Sequence, residues 1–168
     1  MNQVPDKQLI TYSIGHGNRR IEAFINLLKL NQIDILIDVR SLPYSRFSPQ
    51  FRQANLKASL NDVEITYLWL GNELGGRPKD QSLYCNGQVS YEAIKQTDLF
   101  KSGIQQILSF SKSGIKVTLM CSEGDQNNCH RKHLISDELL KIGFDVIHIN
   151  KQGHLEKHII ETKLNLFS

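Results

Sequence analysis

The chain has 168 residues, 40% of them hydrophobic and 22% charged, an ordinary globular composition that excludes a disordered, collagen-like or disulfide-scaffold protein. Its 20 basic and 17 acidic residues leave a net charge of +3, too mild to mark a nucleic-acid protein, so any preference for anions must come from local clustering. Three cysteines and no secretory signal point to a reducing cytoplasm rather than a disulfide framework, and no apolar run is long enough for a membrane helix.

The length predicts one domain over residues 1–168. A strand is expected at Leu9–Ile14, then a helix with Ile21, Phe24, Ile25 and Leu28 on one stripe. A second strand at Ile33–Val39 runs into an irregular stretch, Ser41–Arg52, and a short helix at Gln53–Leu60. A third strand at Glu64–Leu70 opens another irregular stretch, Gly71–Val89. Ser90–Phe100 reads as helical, and Ile104, Ile107 and Leu108 mark a helix ended by Gly114. The fourth strand, Lys116–Cys121, leads to a helix from Asn128 to Ile142, with Gly143 suited to the left-handed position beyond it. A fifth strand at Asp145–Ile149 precedes a helix from Gly153 that aligns Leu155, Ile159, Thr162 and Leu166. Strands rich in Ile, Val and Leu, alternating with helices, give an α/β fold: a three-layer αβα domain around a mostly parallel five-stranded sheet.

In such sheets ligands bind outside the carboxyl ends of the strands, and the chemistry-capable residues fall there. Gly15-His16-Gly17-Asn18 follows the first strand. Its glycines let backbone amides approach a ligand, and the helix starting near Arg20 offers N–H groups to an anion. His16 is a candidate general base, metal ligand or phosphate donor, against the plainer role of a turn histidine. Asp38 and Arg40, two apart on a strand, share a face and form either a catalytic or a structural pair. From Val39 through Asn61 there is no acidic residue, while Arg40, Arg46, Arg52 and Lys57 interleave with Tyr44, Phe47 and Phe51. That pattern can grip phosphate and stack a base, or form a rigid loop packed on the body. Gly75-Gly76-Arg77 permits close backbone approach, with Glu73 beside it as an acid or base.

Cys121 stands at the end of the fourth strand, before a helix whose amides favour a thiolate, although Glu123 and Asp125 oppose it. The loop is faintly similar to that of rhodaneses but has Gln126 where an arginine would help hold the anion, and it lacks the Cys-x5-Arg spacing of phosphatases. Cys121, Cys129, His130 and His16 offer two sulfurs and two nitrogens, a donor set suited to zinc. The Cys-x7-Cys spacing is not that of a zinc knuckle, so zinc is not favoured, no metal ligand is assigned and the cofactor is left open. Arg131 adds charge at a helix start, an arrangement suited to an anion. Cys85 has no partner motif.

These residues also form an ordered set: Ile14-Gly15-His16-Gly17-Asn18, then Asp38-Val39-Arg40-Ser41 with Pro43, Ser45-Arg46, Pro49 and Phe51. Leu70-Gly71, Leu74-Gly75-Gly76, Cys121-Ser122-Glu123, Cys129-His130-Arg131 and His148-Ile149 complete it. The set resembles the uncharacterised prokaryotic family known as domain of unknown function 488. The resemblance supports the fold and the place of the site and names no reaction. The expected site is a phosphate-binding cleft, with His16, Asp38, Cys121 and Glu123 as catalytic candidates. Gly15, Gly17, Asn18, Arg40, Arg46, Gly75, Gly76, His130 and Arg131 are the ligand-binding candidates. The expected ligand is a phosphate-bearing small molecule, a nucleotide or nucleic acid, with no membrane partner and with protein partners left open. Two alternatives stand beside an enzyme of this kind: a non-catalytic nucleotide- or nucleic-acid-binding module, and a rhodanese-like sulfurtransferase using Cys121.

Overall fold

The structure, a computed structural model, describes residues 8–160. In chain order it contains β1 (Leu9–Gly15), α1 (Ile21–Leu30), β2 (Ile35–Asp38), α2 (Gln53–Asn61), β3 (Thr66–Trp69) and α3 (Gly71–Leu74). A hairpin of β4 (Tyr84–Cys85) and β5 (Gln88–Val89) follows, then α4 (Tyr91–Lys95), α5 (Asp98–Lys112) and β6 (Val117–Cys121). A π-wound segment, Arg131–Ser136, runs into α6 (Asp137–Lys141), and β7 (Phe144–Ile149) and β8 (Leu155–Lys157) close the described chain. The main sheet has the order β3-β2-β6-β1-β7-β8. All its pairings are parallel except that of β7 with β8.

Side-chain alternation along the central strands separates the interior into two layers. Ile35, Ile37, Val117, Leu119, Phe144 and Val146 pack towards α3 to α6. Leu36, Met120, Ile14 and Ile149 pack on the opposite face, against Phe24 and Leu28 of α1 and Leu56 and Leu60 of α2. The layers are helix, sheet and helix, as the apolar patterns require. Local signals hold at the helix ends: Ser90 Oγ accepts the Ala93 N–H at 3.2 Å and Thr97 Oγ1 accepts that of Phe100 at 3.2 Å, caps that divide the expected Ser90–Phe100 helix into α4 and the start of α5. Among the described residues no helix is long and apolar enough to cross a membrane.

Three expectations are corrected. The sheet has six strands rather than five, because the segment after Gly153 is strand, not helix. Asn150 Oδ1 accepts the Gln152 and His154 N–H groups at 3.0 and 2.9 Å, turning the chain so that β8 satisfies the open edge of β7. Leu155, the start of the expected apolar stripe, is 52% exposed, while Thr162 and Leu166 lie outside the described residues. The helix expected from Asn128 begins later, at Arg131, with π winding. Within the irregular stretch after Gly71 there is a hairpin, turned by Asn86 and Gly87 with φ of 51° and 75°, the positive pair of a type I′ turn.

The arginine-rich stretch after Arg40 divides its aromatics between core and solvent. Phe51 is fully buried, stacked on His16 at 4.4 Å and edge-on to Phe24 at 5.0 Å, whereas Phe47 is 90% exposed. Phe51→Ala should lower unfolding stability by about 3–5 kcal/mol. Phe47→Ala should stay within about 0.5 kcal/mol of the parent. Urea unfolding of the two variants checks this, and a large loss in the Phe47 variant would contradict the burial pattern.

Candidate active site at the strand carboxyl edge

The loops after β1 and β6 continue the pairing of their strands. His16 N–H donates to Cys121 O and Gly17 N–H to Ser122 O, both at 2.9 Å. Gly15 lies against the Glu123 carbonyl so closely that a Cβ would collide with it. Beside this crossing opens a cleft of about 1210 Å³, whose wall includes Arg40, Gly75, Gly76, Cys121, Glu123 and His130. Tyr44, Arg77, Lys79 and Tyr91 also face it. Gly76 is required by contact: a Cβ there would sit 2.8 Å from the His130 ring.

Asp38 and Arg40 form a two-pronged buried ion pair on the α1–α2 side of the sheet. Arg40 Nε donates to Asp38 Oδ1 at 2.8 Å and Nη2 to Oδ2 at 2.6 Å. The Arg40 backbone N–H and the Tyr67 hydroxyl donate to the same carboxylate, at 3.1 and 2.7 Å. Burial, reinforced by the Asp38 charge, holds the Tyr67 hydroxyl above its ordinary range, so it remains a donor. The third arm, Arg40 Nη1, faces His16 Nε2 at 3.5 Å, and His16 Nδ1 donates to Gly17 O at 2.7 Å. That network assigns the proton to Nδ1. Burial, with the Arg40 charge adding to it, pulls His16 down to about 4, so the ring is neutral at pH 7 and holds Arg40 as an acceptor.

On the other face, Cys121 and Cys129 meet sulfur to sulfur, while Cys85 is free and exposed. An odd cysteine count says nothing about which two sulfurs the fold brings together. Cys129 Sγ accepts the Arg131 backbone N–H at 3.5 Å and Arg131 Nε at 3.4 Å, and His130 Nδ1 lies 3.7 Å away. His130 Nε2 donates to Val39 O at 3.1 Å, which leaves Nδ1 unprotonated on the sulfur side. Burial draws His130 down to about 4 and Arg131 to about 10, so at neutral pH the first is uncharged and the second remains a cation.

Behind the cysteines runs a directional chain of hydrogen bonds. Arg131 Nη1 donates to Ser13 Oγ at 3.3 Å, and Ser13 Oγ donates to His148 Nδ1 at 2.5 Å. His148 Nε2 meets His158 Nδ1 at 3.1 Å, and His158 Nε2 reaches Asp137 Oδ1 at 2.7 Å. The register that sets Ser13 opposite His148 in β1 and β7 creates the first link. Burial first, then the charges of His158 and Arg131, pull His148 down to about 3, so it serves as a neutral link.

The cleft wall gathers Arg40, Cys121, Glu123, Gly75, Gly76 and His130 from the expected site. His16 and Asp38 stand behind Arg40, and Arg131 behind Cys129, all three buried. Gly15 supports the crossing of the loops. Gly17 has a φ of 52° in the same turn, Asn18 is exposed, and Arg46 is an exposed residue over the Phe47 ring. Cys129 was weighed only as a zinc donor and within the family pattern, His148 only within that pattern, and Ser13 and His158 were absent from the expected site. Adjacency of Cys129 to His130-Arg131 was the available signal for the first, whereas strand register decides the others. Among the described residues no three His, Cys, Asp or Glu side chains converge as a metal site, and His16 is turned to Arg40 rather than to the cysteines.

Asp38→Asn should cost about 3–5 kcal/mol of stability, because it leaves the Arg40 cation buried without its counter-charge. A loss below about 1 kcal/mol in urea unfolding would show that solvent reaches this pair. His16, His130 and His148 are all held below their ordinary value of 6.5, at about 4, 4 and 3. Their unfolded forms therefore bind protons first as pH falls. Stability should be flat from pH 8 to 7, then decline below about pH 6.5 by up to about 1.4 kcal/mol per pH unit for each histidine, until the folded protein takes up the same protons. Unfolding midpoints across pH 4–8 read this directly; stability rising on acidification in that window would reverse the assignment.

No curated protein and no solved structure matches the chain. The family described as Domain of unknown function DUF488 matches residues 20–137. The matched segment takes in the Asp38–Arg40 pair, the Gly75-Gly76 loop and the Cys121 to Arg131 segment, and leaves out the His16 turn and His148. By that match, over well more than half of its length, the chain belongs to the DUF488 family.

Proposed function

We propose that the cleft is the active site of a cysteine-dependent enzyme that takes a phosphate-bearing small molecule of nucleotide size, with Cys129 as nucleophile. The observation that carries this reading is the surroundings of one sulfur: neutral His130 Nδ1 at 3.7 Å to accept the thiol proton, and two Arg131 N–H donors at 3.5 and 3.4 Å to hold the thiolate. Cys121 has a different neighbour, the Glu123 carbonyl at 3.9 Å, which disfavours a negative sulfur. The nucleophile thus moves from Cys121 to Cys129. Arg77 and Lys79, exposed at the cleft, supply charge for a phosphate, and the rings of Tyr44 and Tyr91 supply faces for a base.

In reduced protein, Cys129 should react with a small alkylating reagent about tenfold faster than exposed Cys85 at neutral pH. Nucleoside monophosphates and diphosphates should slow that reaction, and the Arg77→Gln, Lys79→Gln double variant should lose the protection. Equal rates at the two cysteines would remove Cys129 as nucleophile. A fast Cys129 that no phosphorylated compound protects would remove the phosphate-bearing ligand alone.

One observation favours a second reading, a non-catalytic nucleic-acid-binding module: Phe47 is 90% exposed, with the Arg46 guanidinium 5.7 Å from its ring centre. A single-stranded oligonucleotide should then bind with an affinity that falls with salt, and Phe47→Ala should weaken it by about 1–3 kcal/mol. Titration by fluorescence anisotropy measures both; no binding at low salt removes this reading.

A further inference from the structure

We propose that Cys121 is the resolving partner of Cys129, and that the pair carries out thiol–disulfide exchange with a disulfide-bearing ligand in the cleft. This rests on Cys129 as the nucleophile and is separate from the phosphate assigned to the ligand. The cations Arg77 and Lys79 suit the carboxylates of a small peptide disulfide as well as a phosphate.

Three features point to a working couple rather than a structural staple. The two sulfurs meet, and both cysteines line the cleft wall although each is largely buried, 2% and 5% exposed. The pair is also asymmetric: the donors Arg131 N–H and Nε serve Cys129, while Cys121 faces a carbonyl. Such donors stabilise a thiolate and give a disulfide sulfur little, so the surroundings favour the reduced form at Cys129. Finally, the loop between the cysteines is already fastened. Arg131 Nη2 donates to Glu123 O at 2.8 Å and Cys129 N–H to Gln126 O at 3.2 Å. A covalent staple across so short and so well-bonded a loop adds little constraint.

The chemistry balances with the two thiols, the ligand and His130 as proton carrier. The Cys129 thiolate attacks one sulfur of the ligand disulfide; the protein–ligand S–S bond forms and the ligand S–S bond breaks. The departing thiolate takes the proton that His130 received from Cys129. Cys121 then attacks the Cys129 sulfur of the mixed disulfide, the Cys121–Cys129 bond forms, and the second ligand thiol leaves with the proton of Cys121. Two electrons pass from the protein dithiol to the ligand, which departs as two thiols. An external thiol reverses both exchanges and restores the pair.

The test uses the full chain, reduced and freed of reductant, then mixed with oxidised glutathione and followed by peptide mass spectrometry. The wild-type protein should form the Cys121–Cys129 disulfide and release reduced glutathione, and added reduced glutathione should reopen the bond in the folded protein. Cys121→Ser should stall as a glutathione mixed disulfide on Cys129, formed about tenfold faster than on Cys85; Cys129→Ser should give neither product. If Cys121→Ser does not fold, the same mixed disulfide should appear transiently in a quenched wild-type time course. A mixed disulfide that persists on Cys129 of the wild type overturns the resolving role of Cys121 and leaves the nucleophile reading standing. Reaction at Cys129 no faster than at Cys85 overturns both. A Cys121–Cys129 bond that reopens only on unfolding, or that forms with a hydroperoxide but not with glutathione disulfide, overturns the exchange activity.

Discussion

The guanidinium of Arg131 is the constraint on which the site depends. It is 1% exposed, and its N–H groups go to a carbonyl, a hydroxyl and a sulfur: Glu123 O, Ser13 Oγ and Cys129 Sγ. A buried cation among neutral partners is expensive unless a negative charge comes close. The acids whose charges act on it, Glu123 and Asp125, lie exposed. The same side chain that fastens the loop after β6 also donates to the sulfur proposed as the nucleophile.

The sheet keeps two charged systems apart and lets them meet only at its edge. Asp38 points to the α1–α2 face, where Tyr67 and the Arg40 fork satisfy it. Ser13, Cys121 and His148 point to the opposite face, with Arg131 and Cys129. Two cations on one face would raise each other's electrostatic penalty in a medium of low dielectric. Parallel strands solve this by alternation, and their carboxyl ends bring Arg40 and the cysteine pair onto one cleft wall.

Neutral histidines complete both systems. His16 accepts from Arg40, His130 presents an unprotonated nitrogen to Cys129, and His148 passes the Ser13 bond on to His158 and Asp137. Burial keeps the three uncharged, so each supplies an acceptor where a charged ring would repel a neighbouring arginine. A polar network of this kind holds its geometry because every member has a partner.

The sequence by itself determined what local pattern controls. The Ile- and Leu-rich runs placed the central strands, the spacing of Phe24 and Leu28 placed α1, and Gly114 and Gly143, with φ of 78° and 95°, closed their helices as residue type demands. Alternation of strand and helix implies parallel strands, so their carboxyl edge was legible as the place of a candidate site, together with Arg40, Cys121, Glu123 and the Gly75-Gly76 loop. What only the tertiary structure decided was partnership. Leu155 falls on a helical spacing, yet the open edge of β7 takes its segment as β8, because unpaired backbone groups outweigh a weak apolar stripe. Arg131 reads as a cation for an anion until packing encloses it, and Cys129 reads as one donor of an unfavoured zinc set until its neighbours give its sulfur hydrogen-bond donors. Ser13 and His148 are distant in sequence and meet through the register of β1 with β7. Pairings of that kind depend on which strands lie side by side, and no window of local sequence contains that information.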